Sequence, residues 1–258
     1  MEYIESTPDY RGLSSLAGRH VIVLGAGQGI GRQAAHAAAS VGGKVSCVDL
    51  DEDRASSVAD EIGGVAISGD VTDRNSMESI FAEAVDRLGP VRGLADIVGI
   101  AEWAPLVDIS DDNWSRSLDL NLRHQFLAMQ IGSRYMPDGG AMAFVASVSG
   151  QRSAPNHAIY GAAKAGLTNL VRTAALELAP KIRVNAVAPG VTLTPRTSVN
   201  LDADRLAAAD AWVPLGRIGE ARDIAAALLF FLTDQSDWVT GQTLTVDGGT
   251  SRKYQYDV

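Results

Sequence analysis

Cysteine is almost absent, with one thiol, Cys47, in 258 residues. A single cysteine cannot close an internal disulfide, and its place inside the run KVSCVD marks it as a small core residue. No apolar run approaches the ~18 residues that a membrane-spanning helix requires. Basic residues are also short: 22 lysines and arginines stand against 31 acids, giving a net charge of −9 with no concentrated basic stripe. Nucleic acid and membrane surfaces are therefore not expected as partners, and an acidic carrier protein is disfavoured. Neither His-x-x-x-His nor clustered cysteines occur, so no metal site is expected. The N-terminal MEYIESTPDY carries acids and no apolar h-region, which reads as the start of a soluble, cytoplasmic chain. No long linker, internal repeat or low-complexity tract divides the sequence. With 46% hydrophobic residues, it can bury a full core as a single domain over 1–258.

What is present is regular alternation. Strands are expected at 20–24, 44–49, 64–68, 92–98, 140–147, 181–187 and 242–246. Helical patterns fall near 30–41, 53–61, 73–88, 110–136, 157–179 and 220–232. Such alternation predicts an α/β fold, a doubly wound parallel sheet of about seven strands with helices on both faces. Ser110-Asp-Asp reads as a helix start, Pro137 with Gly139-Gly140 as a stop, and Pro180 ends the helix over 157–179. The connection 191–214 is longer than ordinary and reads as a lid loop.

The first strand, HVIVL, runs into GAGQGIG and then an alanine-rich helix, the context in which a glycine-rich turn binds a dinucleotide. Gly25 permits the tight turn, Gly29 lets the backbone approach a pyrophosphate, and Gly31 lets the helix pack on the strand. The second strand ends in Asp49, a carboxylate able to accept both adenosine ribose hydroxyls and to repel a 2′-phosphate. Gln28 occupies the turn where a base would favour that phosphate, and Leu50 follows the acid, so NAD is expected over NADP.

Tyr160 and Lys164 lie one helical turn apart in AIYGAAKAG, and Ser147 lies upstream. Tyrosine is a poor acid or base near neutrality, its reference pKa being about 10. A neighbouring ammonium favours the phenolate and brings the group toward working pH. Alone, Y-x-x-x-K recurs on surface helices; behind a dinucleotide cradle it gains meaning. Asp49, Asp70, Ser147 and Pro189-Gly190 all fall at or just after expected strand ends, so they converge on one sheet edge.

In order and spacing, GAGQGIG, the GDV of Gly69 to Val71, Asn121 in LDLNL, Ser147, YGAAK, NAVAPG of Asn185 to Gly190 and GQTLTVDGG resemble the motifs of the short-chain dehydrogenase/reductase family, over about Gly18 to Gly249. The resemblance implies an NAD(H)-dependent oxidoreductase moving a hydride between nicotinamide and a small secondary alcohol or ketone. It gives Tyr160 the role of proton donor or acceptor for the carbinol oxygen and Ser147 that of its hydrogen-bond partner. Lys164 would lower the tyrosine pKa and hold the nicotinamide ribose, and Asn121 would position a water in the proton path. Asp70 and Val71 correspond to adenine contacts, and Pro189, Gly190, Thr192 and Thr194 belong to the stretch that clamps the nicotinamide carboxamide and opens the lid. Gln28, Ile30, Leu50, Val98 and Gly99 complete the implied cofactor contacts. A homotetramer is implied too, with helices 110–136 and 157–179 pairing across one axis; Ala174, Ala175 and Leu178 suit close helix contact.

The chain departs from the family pattern at Asp96-Ile97-Val98-Gly99, where Asn-Asn-Ala-Gly is usual, at Leu24 in place of threonine, and at Thr192 in place of isoleucine or valine. Asp96 either pairs with a base or is satisfied by backbone N–H groups. Trp103, Ser149, Gln151, Asn156, His157, Leu193 and Trp212 are candidate substrate-pocket residues. His157 either touches substrate or is an exposed helix-start residue, and the two tryptophans either wall the pocket or serve lid packing or a subunit contact. Two other functions stand beside the leading one: a non-catalytic dinucleotide-binding protein, and a lyase or epimerase using bound NAD transiently. The intact Asn121, Ser147, Tyr160 and Lys164 set weighs against the first, and the glycine spacing without an added substrate domain against the second.

Overall fold

The computed structural model describes residue 7 and residues 9–199 and 202–252. Seven strands form one parallel sheet: β1 (His20–Leu24), β2 (Lys44–Asp49), β3 (Val65–Ser68), β4 (Val91–Asp96), β5 (Gly140–Val145), β6 (Ile182–Pro189) and β9 (Thr243–Val246). Their order is β3-β2-β1-β4-β5-β6-β9, so the winding reverses between β1 and β4. A crevice opens at such a reversal, beyond the carboxyl ends of the strands. A small separate ladder joins β7 (Thr192–Leu193) to β8 (Gly219–Glu220).

The pleat sorts the core. Every residue of β1 is buried, as a strand covered on both faces requires. Ile22 and Leu24 point into one cluster with Met77 and Phe81 of α3 (Arg74–Leu88), Leu127 of α5 (His124–Gly132), and Leu167 and Val171 of α6 (Ala158–Glu177). Val21 and Val23 point the other way, toward Ala34 and Ala38 of α1 (Gly29–Ser40), Val58 of α2 (Glu52–Ile62), and Leu228 and Phe231 of α9 (Ala221–Leu232). Cys47 lies in this second cluster, and burial pushes its thiol up to about 12, an inert core group.

Beyond shifts of one or two residues at strand ends, such as β5 stopping at Val145 and β6 running on to Pro189, three departures from the sequence expectation shape the site. The helix expected over 110–136 is interrupted: α4 (Asp111–Leu118) passes through a π-turn at Asp119–Arg123 before α5. The Asn121 amide donates to the Ser117 carbonyl at 2.9 Å, competing for the i−4 acceptor, and the His124 backbone N–H reaches back five residues to Asp119. The fourth strand stops at Asp96, whose carboxylate accepts the Val98 N–H at 3.1 Å and turns the chain away. Finally, 191–214 is not a plain loop. It contains β7, α7 (Pro195–Ser198) and α8 (Ala203–Trp212), started by a capping box at Thr194 and an Asp202 cap; residues 200 and 201 lie outside the described residues.

Candidate active site

The site begins where β1 ends. The Gly25 and Ala26 N–H groups donate to the Val48 carbonyl at 2.8 and 2.9 Å, pinning the turn to β2. Gly25 has φ +81°, a left-handed conformation that favours glycine. At Gly31 a Cβ would lie 1.9 Å from the Gly25 carbonyl oxygen, so only glycine lets α1 start so close to the strand. At Gly29 (φ +55°) the nearest atom to a Cβ would be Thr194 Cβ at 3.4 Å, which brings the start of α7 onto the turn. Gln28 and Ile30 flank this N-terminus, whose free N–H groups and dipole suit a pyrophosphate.

Asp49 lies at the end of the groove where adenosine is expected. Its carboxylate accepts Gly27 N–H at 2.9 Å and Asp51 N–H at 3.1 Å, so it is held at the turn rather than free in solvent, while Leu50 beside it is exposed. Arg54 was not foreseen here. A Cβ on Gly27 would lie 2.6 Å from Arg54 Cβ and 2.7 Å from Asp49 Oδ2, and the arginine Nε pairs with Asp51 at 3.1 Å. Its signal was local, the third residue of α2 after the acids Glu52 and Asp53. Asp70 accepts from the Thr72 N–H at 2.8 Å and the Thr72 hydroxyl at 2.7 Å, shaping the turn that carries buried Val71. These features fit a nicotinamide dinucleotide: glycines where a Cβ would block the groove, a helix N-terminus for phosphates, and a fixed carboxylate for ribose hydroxyls.

The residues expected to do acid–base work gather at the same edge. Ser147 follows β5, and Tyr160 and Lys164 occupy successive turns of α6. Burial raises the Tyr160 phenol above its ordinary value, and its hydrogen bond with the Ser147 side chain pulls it back. Lys164 is fully buried; burial pulls its ammonium down to about 8 while the charge of Asp96 raises it. The Lys164 ammonium donates to the Val145 carbonyl at 2.8 Å and lies 5.8 Å from the centre of the Tyr160 ring, without a bond to the phenol. Asn121 and Lys164 meet at Gly99, where a Cβ would lie 2.9 Å from Asn121 Oδ1 and 3.1 Å from Lys164 Nζ. The Asn121 side chain is fastened by Ile100 N–H to Oδ1 and by its own amide to Ile100 O, each at 2.9 Å. Val98 narrows the groove: its Cγ2 would be 3.0 Å from a Cβ at Gly25.

On the clamp side, Gly190 N–H donates to Val246 O at 3.0 Å, and the Thr192 hydroxyl donates to Gly190 O at 3.1 Å, which turns the chain after Pro189. The pocket candidates divide. The His157 ring lies on that of Trp103 with centroids 3.9 Å apart and edge-on to Tyr160 at 5.6 Å, and its Nδ1 meets the Ser149 hydroxyl at 3.0 Å. Trp103 and Asn156 line one cleft with Glu102 and Ile109. Gln151 instead accepts the Thr245 hydroxyl at 3.0 Å, Leu193 lies in the β7–β8 ladder, and Trp212 ends α8. Asp96 takes both of its expected partners at once, the Val98 N–H and a base, His124, at 3.2 Å. That histidine was also missed; its signal was its place three residues after Asn121, on the buried side of the helix. Among the described residues no group of three or more His, Cys, Asp or Glu could hold a metal ion, and no helix is long and apolar enough to cross a membrane.

Comparison with known proteins agrees with this geometry. The family described as "Enoyl-(Acyl carrier protein) reductase" matches residues 25–251. The 3-oxoacyl-[acyl-carrier-protein] reductase of Thermotoga maritima is 34% identical over 242 residues, covering 91% of this chain and 98% of the relative. L-xylulose reductase of Bos taurus is 35% identical over 240 residues, covering 91% and 97%. A solved 7α-hydroxysteroid dehydrogenase, complexed with NADH and 7-oxo-glycochenodeoxycholic acid, superposes with a TM-score of 0.88 at 32% identity, covering 94% of this chain and 98% of that one. The chain belongs to the short-chain dehydrogenase/reductase family and is an oxidoreductase of alcohols and ketones that uses a nicotinamide dinucleotide.

Proposed function

We propose that this enzyme is specific for NAD(H) and moves a hydride between nicotinamide and a small secondary alcohol or ketone, with Tyr160 handling the proton. Bound in the groove, the nicotinamide supplies or accepts the hydride. In oxidation Tyr160 takes the carbinol proton, and in reduction it returns one to the carbonyl oxygen, while Ser147 hydrogen-bonds that oxygen. Lys164 has three donors and spends one on Val145, leaving two for ribose hydroxyls while its charge favours phenolate. Asn121, tied to Ile100, holds the strand-end loop against Lys164 and positions a water in the proton path. The observation that carries the reading is Tyr160 above buried Lys164, bonded to Ser147, at the edge where the glycine turn opens. The carboxylate of Asp49 carries the preference for NAD.

The segment 191–214 acts as a lid over the groove, its hinge beside Gly190. A small-molecule substrate is favoured over a carrier-bound one because the chain, with net charge −9, would repel an acidic carrier. A homotetramer follows the family pattern, though not through Ala174 and Ala175, which are buried inside the fold; the large apolar side chain that this helix exposes is Leu176, with Ala158, Ala162 and Ala165 also exposed. Light scattering at micromolar concentration should give four subunits, and a monomer contradicts the assembly. NADH fluorescence on mixing with a panel of secondary alcohols and ketones tests the function. Turnover with NAD well above that with NADP is expected. Cofactor binding without turnover on any member would favour the non-catalytic reading, and comparable kcat/KM with both cofactors would remove the NAD assignment.

A further inference from the structure

Beside Tyr160 stands an imidazole that the reaction above does not use. His157 immediately precedes α6, and its ring lies edge-on to the phenol ring with centroids 5.6 Å apart. Its Nδ1 meets the Ser149 hydroxyl at 3.0 Å, and the Ser149 N–H donates to the Ser147 hydroxyl at 3.1 Å. Nε2 is buried and has no hydrogen-bond partner among the described residues. The fully buried His20 and His124, by contrast, have both ring nitrogens engaged. Burial holds the His157 imidazole below its ordinary pKa, so near neutral pH the ring is uncharged. If the ring donates to Ser149, Nε2 is left as a bare acceptor; if the serine donates, Nε2 carries the ring hydrogen. Either tautomer leaves Nε2 unsatisfied.

Trp103 lies on this imidazole with centroids 3.9 Å apart, yet the residue remains 68% exposed. It belongs to the stretch 97–105, which has no regular secondary structure and is fastened on both sides of the indole. Ile100 is tied to the Asn121 side chain, and the Ala104 N–H donates to the Asn156 carbonyl at 3.2 Å. Asn156, at φ +64°, is the one non-glycine residue with positive φ among the described residues, a left-handed turn that asparagine tolerates. Trp103 also lines a cleft with Glu102 and Asn156. The indole therefore touches both the imidazole and the cleft, and rotation of that one side chain joins them while the backbone stays fastened. Glu102 sets the polarity of the cleft. Its Oε1 accepts from Arg116 Nε at 2.9 Å and lies 2.8 Å from Arg116 Nη2, whereas Oε2 is buried without a partner among the described residues.

We propose that His157 is a specificity-determining residue whose Nε2 hydrogen-bonds a second hydroxyl of the substrate, once the substrate has displaced the Trp103 indole. This rests on the oxidoreductase reading above and narrows its substrate to a neutral diol or hydroxyketone. With the two ring centres 5.6 Å apart, the group that meets Nε2 belongs on a carbon near the one that Tyr160 serves. A hydroxyl both donates and accepts, so it satisfies either tautomer of His157; a carboxylate or ketone oxygen only accepts, and an ammonium only donates. Glu102 Oε2 only accepts, so that wall also calls for a donor, and its charge opposes a substrate carboxylate. Neutral His157 offers an acid no counter-charge. Displacement serves both partners: a buried nitrogen gains the hydrogen bond it lacks, and an exposed indole gains the carbon face of the substrate.

The test pairs each vicinal diol with the mono-alcohol of the same skeleton: a butanediol with secondary butanol, and a cyclohexanediol with cyclohexanol. The first arm is calorimetry on wild-type enzyme saturated with NADH, where an alcohol forms a dead-end complex and no turnover occurs. At least one diol should bind about tenfold or more tightly than its partner, since a site built around a hydroxyl rejects the analogue that lacks it. Equal affinities across the panel, no binding by any diol, or tighter binding of the matching hydroxy acid overturns the proposal, and none of these readings needs a variant. The second arm is NADH formation from NAD. In His157→Phe, which keeps a ring against Trp103, kcat/KM for the diol relative to the mono-alcohol should fall about tenfold or more. His157→Gln, whose amide both donates and accepts, should keep part of the preference. A merely structural role lowers both substrates alike and leaves the ratio in place, which overturns the proposal while leaving Tyr160 chemistry intact. Tighter binding of diols with no NADH formed from any alcohol keeps the role of His157 and removes the oxidoreductase reading instead.

Discussion

The two ends of the parallel sheet treat buried polarity in opposite ways. At the amino ends of the strands most buried polar groups meet a complementary one, the Thr243 hydroxyl at the start of β9 being the exception. His20 is held between the Gly89 carbonyl and the Ser46 hydroxyl, and Arg19 forms a two-point pair with Asp234 at 2.7 and 2.5 Å. Arg183 donates to the carbonyls of Phe231 and Thr233, capping the end of α9, each at 3.0 Å. At the carboxyl ends, Asp96, Gln125 and His157 each keep a buried atom without a partner, and Lys164 is buried with one bond. Satisfied polar groups fix a structure, whereas unsatisfied ones cost stability and are kept where they do chemistry. The amino edge is therefore read as scaffold and the carboxyl edge as reactive site.

Breaking the carboxyl edge should change chemistry more than stability. The largest effect is expected for Lys164→Ala, which removes both the proposed ribose contact and the charge beside the phenol. Turnover should fall by at least roughly 10²-fold, KM for NAD should rise, and the rising limb of the oxidation profile should move to higher pH. The sign follows from charge: without the ammonium, phenolate forms less readily. Steady-state kinetics across pH check all three. A smaller change is expected from Asp49→Ala with Leu50→Arg, which replaces a repelling carboxylate by a phosphate-binding guanidinium. Preference should shift toward NADP by roughly ten- to a hundredfold, the worth of one or two charge-assisted hydrogen bonds, read as the ratio of kcat/KM values.

Breaking the amino edge should do the reverse. His20→Ala leaves the buried Ser46 hydroxyl without its partner and should cost about 1–3 kcal/mol by urea unfolding, with kcat/KM unchanged. A large loss of turnover in that variant would erase the division between the two edges.

The parts legible in the sequence were those with local signatures. The run HVIVL followed by GAGQGIG announces strand, turn and helix within twelve positions, and the structure places β1 and β2 on the expected bounds. The two faces of β1 follow from alternation alone. What was illegible depended on side chains folding back onto backbone. Asn121 captures the Ser117 carbonyl and breaks a helix that periodicity draws as continuous, and the Asp96 carboxylate ends β4 two residues early. Helical periodicity marked Ala174 and Ala175 as small and apolar without saying which surface they cover; it is the core of their own chain. The pairing of Asp96 with His124 joins residues on a strand and a helix, and spacing along the chain carries no sign of it.

The most direct measurement of the central claim is the rate of NADH formation by Tyr160→Phe beside wild type, on one alcohol that the wild type oxidises. The ring and its packing remain, so melting and NADH binding by fluorescence should match the wild type, while turnover falls by roughly 10²–10⁴-fold. Near-normal turnover in that variant would contradict the account, since the proton would then be handled elsewhere and the carboxyl edge would bind the cofactor without performing the acid–base step.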